Sequence, residues 1–461
     1  HRRRGGGGGG AGGGVGRAGG GVGAGGVDRG GGAGAGGRPA GGRGAGVARG
    51  PHPLGSPLPD RAAAGDPLVA WRVFARQPPN RGGGPGLSPL LAVCTLPPWP
   101  IGNGYALRVA NLIEALAASW RITLVAPAGT VPGGIRHVPV APSGRGLTYP
   151  WRFDDAPLRT AVRAALREHR AARALVFPGA EALWFGAADL PPAVMDMIDC
   201  NPLEFWRGAL RGRGLRARLG SLAEIPVAAR YARRTVRSFA ATVCVGERDA
   251  AWMRRLGGRD TVHVVPNGVV LPPAEALVEE AGTPTVVFLG SLGYAPNVDA
   301  ALFAAEAIWP RIAEAVPGAR FVIAGRAPAP DVRALAARPG IEIAADVPDV
   351  VPVLGRAWVS LAPMRIGAGI KNKVLEAWAC ARPVVMTPLA TNGLVLPPGH
   401  AAFVRGDAAG FAEAVVALLR DRDARRAAGA SARALVQARF GWAEAAARID
   451  ALLRAAPTRP A

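Results

Sequence analysis

Lysine is almost missing from this chain. Of 55 basic residues only two are lysines, Lys371 and Lys373, and the other 53 are arginines. Acidic residues are scarce as well, 33 in all, so the formal charge is +22. A surplus of that size favours anionic partners (nucleotides, nucleic acid or acidic lipid) without selecting one. No apolar run approaches the ~18 residues of a membrane-spanning helix. Cysteine is limited to Cys94, Cys200, Cys244 and Cys380 with no CxxC pair, which predicts buried free thiols in a reducing compartment. His, Asp and Cys nowhere cluster at metal-ligand spacing, so no metal is expected.

Aromatic residues are absent before Trp71. The first 86 residues are mostly Gly, Ala, Arg, Val and Pro, with 12 arginines against three aspartates, leaving 13 positive charges for the rest. Such a segment buries too little apolar surface to offset its ordering entropy. With nothing to stack on bases it does not read as an RNA-binding Arg-Gly tail, and it lacks the apolar core of a secretory signal. The chain starts on His1, so 1–86 is expected to be a disordered extension, or one foreign to the native protein. No nucleic-acid partner is expected.

From Leu90 the pattern changes. Short apolar runs at 90–95, 122–126, 174–177, 193–197, 242–245 and 262–265 alternate with helical spacing at 105–117, 157–170 and 226–239. Alternation of this kind implies a parallel sheet covered on both faces. Pro272 to Pro284 reads as a linker, after which the pattern restarts: strands at 285–289, 321–324, 341–344, 359–362 and 384–386, a small strand at 402–404, and helices from about Val298, Ile370, Asp407, Asp423 and Trp442. The expected division is therefore 1–86 (extension), 87–271 (first α/β domain), 272–440 (second) and 441–461 (final helix and tail).

Four stretches carry chemistry. Gly102, Asn103 and Gly104, with Arg108 beyond, form a turn after the first strand; the third glycine of a dinucleotide fingerprint is replaced by Leu107, which argues against a dehydrogenase. Asp196 and Asp199 follow a strand and are candidates for sugar hydroxyls or proton transfer, or for helix capping. Residues 205–237 combine nine arginines with Phe205, Trp206, Leu210, Leu215 and Leu219, which reads as an arginine-rich solvated helix, a surface for anionic membrane or a cradle for an anionic acceptor. The most informative stretch is Trp358 to Thr387. There a strand, a loop with Gly367 and Gly369, and a helix start make an anion site from backbone dipoles. Arg365, Lys371 and Lys373 add charge, and a compact ammonium where the chain otherwise uses guanidinium points to phosphate.

The run P-x-R-x-G-A-G-I-K-x-K-x-x-E-A followed by P-V-V-x-T resembles the donor-site segment of glycosyltransferase family 4. VVPNGV, VFLGSLGYAPNVDA, FVIAG, the final FGW and the early PPWPIGNGYALRV fall in that family's order, and the likeness runs from about Leu90 to Leu453. It looks most like bacterial surface-polysaccharide transferases. The resemblance implies a GT-B fold: two facing Rossmann-like, doubly wound α/β domains, the first for the acceptor and the second for the donor, with a C-terminal helix crossing back. It implies a retaining hexosyltransferase without a cofactor. The diphosphate leaving group needs no metal where dipoles and cations stabilise it, and the basic 205–237 stretch fits a cytoplasmic protein peripheral at the inner face of the membrane. Its nucleotide diphosphate sugar would be a co-substrate and its acceptor a glycan or lipid-linked sugar.

By the same resemblance Glu376 binds the donor ribose, and Gly290, Asn297 and Asn392 complete the donor set. The family's other glutamate falls at Ala368 and its histidine near Ile198, leaving Asp196 or Asp199 beside the reacting sugar. Glu247 resembles an S-E element lining the cleft. The loop Ser291 to Asn297 holds no basic residue, so Arg365, Lys371 and Lys373 take over the diphosphate. Alternatives are an epimerase or phosphorylase of the same fold, and a lapsed homologue that only binds anions.

Overall fold

Apolar runs of three to eight residues bounded by Gly or Pro are too short for buried helices and form parallel strands here. A computed structural model of the chain describes residues 87–141, 156–211, 214–258, 260–277, 280–367 and 369–457. The extension 1–86 and position Ala368 lie outside them. The first sheet is built from β1 (Ser88–Val93), β2 (Trp120–Pro127), β3 (Arg136–Val140), β4 (Arg173–Val176), β5 (Ala193–Ile198), β6 (Ala241–Cys244) and β7 (Val262–Val264). Its order is β3-β2-β1-β4-β5-β6-β7, all parallel. Between the strands run α1 (Gly104–Leu116), α2 (Ala156–His169), α3 (Asn201–Arg211), α4 (Leu215–Ser238) and α5 (Glu247–Gly257). Leu112 and Ile113 of α1 pack on one face; Val162, Val236 and Met253 from α2, α4 and α5 pack on the other.

The second sheet repeats the plan. Its strands are β8 (Thr285–Leu289), β9 (Arg320–Gly325), β10 (Ile341–Ala345), β11 (Val359–Ala362) and β12 (Val384–Met386), in the order β10-β9-β8-β11-β12, again parallel. Around it lie α6 (Ala295–Phe303), α7 (Trp309–Ala315), α8 (Pro330–Ala334), α9 (Val351–Arg356), α10 (Asn372–Ala379), α11 (Ala408–Arg420) and α12 (Arg422–Arg439). The last helix, α13 (Trp442–Ala455), returns to the first sheet, where Trp442, Ile449 and Leu453 join its core. Each such side chain contributes about 1.5–3 kcal/mol by burial. Trp120 Nε1 donates to Asp450 at 2.5 Å, and Arg173 Nε to the Leu453 carbonyl at 3.0 Å. Gly268 marks the crossing: a Cβ there would lie 2.6 Å from the Trp442 nitrogen, so P-N-G and F-G-W fit each other through a missing side chain.

In both sheets the strand order reverses beside the first strand, between β1 and β4 and between β8 and β11. Ligands of open α/β sheets bind outside the carboxyl ends of strands at such points. Four differences from the sequence reading have local causes. β3 (RHVPV) is a partly exposed edge strand whose Arg and Pro hide it. α4 begins at Leu215, not Pro226, and carries Pro226 inside its 24 residues, held by packing on α3. The expected strand at 402–404 is a 3-10 turn, His400–Phe403, with one bridge from Val404 to Met386. Asp421 rather than Asp423 starts α12, accepting from the Ala424 N–H.

Candidate functional site

β11 ends at Ala362, and the chain turns through Gly367 (φ 106°) and Gly369 (φ 68°) before α10 begins at Asn372. Gly369 is required twice. Its φ lies in the left-handed region, which costs other residues about 1–2 kcal/mol. The Oδ1 of Asp199, from the loop after β5, also occupies the place a Cβ would take. A carboxylate of the first half thus presses on the glycine loop of the second.

The two lysines sit in this loop and helix, both buried. Lys371 Nζ donates to the Gly369 carbonyl at 3.1 Å. Lys373 Nζ donates to Asn297 Oδ1 at 2.8 Å and lies 4.0 Å above the Phe288 ring. Asn297 in turn donates to the Ser291 carbonyl at 3.0 Å and packs against Gly290, at the end of β8. Glu376, one turn further along α10, is 5% exposed and makes no side-chain hydrogen bond among the described residues. Burial pushes its carboxyl up to about 7, with Lys373 opposing. Burial, then the Lys371 ammonium, push Lys373 down to about 7. Lys371 is lowered too, by burial, against the pull of Asp199 and Asp249.

From the first half, α3 reaches across. Arg207 Nη1 donates to the Gly367 carbonyl at 2.6 Å, and Glu204 accepts from Tyr294 Oη at 3.3 Å. Asp199 is raised to about 7 by burial and then by the Glu204 charge, with Lys371 opposing. Arg326, just past β9, donates to the Gly102 carbonyl at 3.0 Å. Glu204 and Arg326 lie outside the stretches the sequence singles out, and Arg207 enters there only as one of the arginines of 205–237. The available signal was position: a basic residue directly after FVIAG, and charged residues beginning the helix after Asp199.

Several expected site residues have structural employment instead. Asp196 lies within β5, fully buried, its carboxylate held by Arg108 Nε at 3.0 and 2.9 Å. Arg108 is no loop residue but buried in α1; its Nη1 donates to Asn267 Oδ1 at 2.7 Å, and Asn267 Nδ2 donates to Asn372 Oδ1 at 2.7 Å. A polar chain therefore runs from β5 to the start of α10. Asn103 caps α1 by accepting from the Ala106 N–H at 2.9 Å, while Gly104 packs near Asn372. Asn392 is buried and donates to Asp249, closing the two halves together. Glu247 is exposed and paired with Arg254. Arg365 makes a fork with Asp299 at 3.0 and 2.6 Å and lies 4.4 Å over Phe303. Lys371, Lys373, Glu376, Asn297, Gly290, Gly367, Gly369 and Asp199 remain assembled about the ends of β5, β8 and β11.

Residues 283–421 match the family model described as glycosyl transferases group 1. No curated protein matches the chain. Among solved structures, a sucrose-phosphate synthase from Thermosynechococcus elongatus is similar at TM-score 0.59 and 16% identity, over 80% of this chain and 98% of its own. HepE from Anabaena, solved with UDP and glucose, is similar at TM-score 0.56 and 12% identity, over 80% and 99%. WaaG, a glycosyltransferase involved in lipopolysaccharide biosynthesis, is similar at TM-score 0.54 and 15% identity, over 78% and 99%. The fold is GT-B: two parallel doubly wound sheets and a returning C-terminal helix.

Proposed function

We propose that this chain transfers a sugar from a nucleotide diphosphate sugar to a glycan or lipid-linked acceptor, with retention of configuration and without a metal. One observation carries the reading: Glu376, a buried carboxylate without a hydrogen-bond partner among the described residues, stands one turn from Lys373 beyond the carboxyl end of β11. A ribose supplies the two hydroxyl donors such a carboxylate lacks. The diphosphate would lie toward Lys371 and Lys373, and its arrival would favour the charged ammonium that burial disfavours on both. Preorganised cations and loop dipoles then stabilise the additional negative charge that develops on the diphosphate as the donor C1–O bond breaks. The acceptor hydroxyl bonds to C1 from the face the diphosphate leaves, and its proton passes to the departing phosphate oxygen. Asp199, which lies against Gly369, would face the sugar.

The acceptor end is supported by α3 and α4. Six of the eight large apolar side chains exposed among the described residues fall there, Trp206, Leu210, Leu215, Leu219, Leu222 and Val227, interleaved with the exposed Arg216, Arg218 and Arg230. Apolar area beside exposed guanidiniums suits an anionic lipid surface, and this supports a reading in which the protein works at a membrane face. Arg207 of α3 ties that surface to the donor loop.

The test is turnover with UDP- and GDP-sugars, scored by release of nucleotide and by product anomer. Glu376→Ala and Lys371→Ala are each expected to remove most turnover, and chelator to leave it unchanged. Parent-like rates in both variants refute the site. Product formed without acceptor points instead to an epimerase.

A further inference from the structure

Trp358 precedes β11, Gly282 lies just before β8 and Arg382 just before β12. These residues share a cavity of about 550 Å³ at the amino edge of the second sheet, opposite the edge that carries the lysines. Five arginines line it, Arg382, Arg420, Arg422, Arg425 and Arg426, against one carboxylate, Glu280. Two of them form the floor. Arg425 is 2% exposed; its Nε and Nη2 donate to Glu280 at 3.1 and 2.8 Å, its Nη1 to the Leu418 carbonyl, and its guanidinium stacks 4.1 Å from the Trp358 ring. Arg382 is also buried, donating to the Leu354 and Gly355 carbonyls and, at 3.4 Å, to the same Glu280. A single carboxylate thus answers two buried guanidiniums, and Glu280 is drawn below the usual carboxylate range against the cost of its burial.

The excess positive charge lies at the rim. Arg422 and Arg426 are one turn apart on α12 and exposed; among the described residues neither makes a close ion pair, and Arg426 acts on Glu280 through its charge at longer range. The helix terminus itself is already satisfied, since Asp421 accepts from the Ala424 N–H. Guanidinium forks, not backbone dipoles, are what this cavity offers. Planar forks match the paired oxygens of a phosphate and bind it bidentately. A cavity of this size lies in the range of small-molecule sites.

We propose that this cavity is a second anion site, separate from the donor cleft, which takes a phosphate-bearing small molecule between Arg422 and Arg426. Its occupant would lie on the segment from Glu280 to Pro284 that leads into β8. The proposal does not depend on sugar transfer.

The test is titration calorimetry of pyrophosphate, with inorganic phosphate alongside, into the full chain and into Arg422→Ala/Arg426→Ala. The donor cleft and the arginines of residues 1–86 are the same in both proteins, so the difference reads this cavity alone. Affinity at one site should fall about 100-fold, roughly tenfold for each charge-assisted bond lost. Arg422→Lys/Arg426→Lys, which keeps charge but not the fork, should recover part of it. Superimposable isotherms for parent and double-alanine variant, or no binding to either, overturn the proposal. Should the double variant melt early, hydrogen exchange of the parent decides: pyrophosphate should slow the Ala281 N–H, which donates to the Arg356 carbonyl, and unchanged exchange refutes the site.

Discussion

Replacing Glu376 by glutamine keeps the shape of the side chain and removes a charge that the fold buries. The carboxyl titrates near 7 in the folded protein against an ordinary value of 4.5, burial being the first cause. Between those values the folded state holds a proton that the unfolded state has released, so stability falls as pH rises through the window. At pH 4.5 or below the ionised form costs nothing; above 7 the cost is fully present. A shift of that size corresponds to about 3 kcal/mol at 1.36 kcal/mol per unit. Lys373, lowered to about 7, loses its favourable neighbour in the variant, which offsets part of the gain. Glu376→Gln should therefore be more stable than the parent by about 2 kcal/mol at pH 8 and indistinguishable from it near pH 4.5. Thermal melts at the two pH values read this as a shift of a few degrees at the higher one. A variant less stable at pH 8, or a gain equal at both pH values, would falsify the claim that the carboxylate is held there against its own solvation. The same variant should bind UDP more weakly, since an amide accepts fewer ribose hydroxyls than a carboxylate. Gained stability with lost binding is the signature of a group kept for a ligand.

Two other predictions test the scaffold and the surface. Arg108→Ala leaves Asp196 buried and unpaired, and should cost about 3–5 kcal/mol in denaturant melts; a cost below 1 kcal/mol would show that water reaches the pair. Leu215→Glu/Leu219→Glu should abolish sedimentation with vesicles containing a third phosphatidylglycerol while leaving turnover on a water-soluble acceptor intact, and parental binding that is insensitive to salt would refute the lipid surface.

What the sequence disclosed follows distance along the chain. β8, β11 and β12 were read to the residue because buried parallel strands need only a local apolar run between breakers. That Lys371, Lys373 and Glu376 share one loop and helix start is legible for the same reason. Asp196, Arg108 and Asn392 are held by partners 88 to 159 residues away, which no local pattern shows. A strand-end aspartate looks alike whether it faces a cleft or a buried guanidinium. Arg326 and Glu204 were missed because only the meeting of the two sheets gives them neighbours. α4 defeated the periodicity argument at Gly220 and Pro226, where packing against α3 overrides two poor helix formers.

The contact between Asn267 and Asn372 has a mechanical meaning. On one side of it Arg108 and Asp196 are locked, buried and charged, and they move with the first sheet. On the other side Asn372 opens the helix that carries both lysines. The seam between them is one bond between neutral amides, worth about 1 kcal/mol net. Parting the sheets at this point separates no charges, so this latch should let go with similar ease in dilute buffer and in high salt. A rigid, buried ion pair thus meets a weak, uncharged clasp, one of several contacts between the two sheets that also include Arg207 with the Gly367 carbonyl and Arg326 with the Gly102 carbonyl.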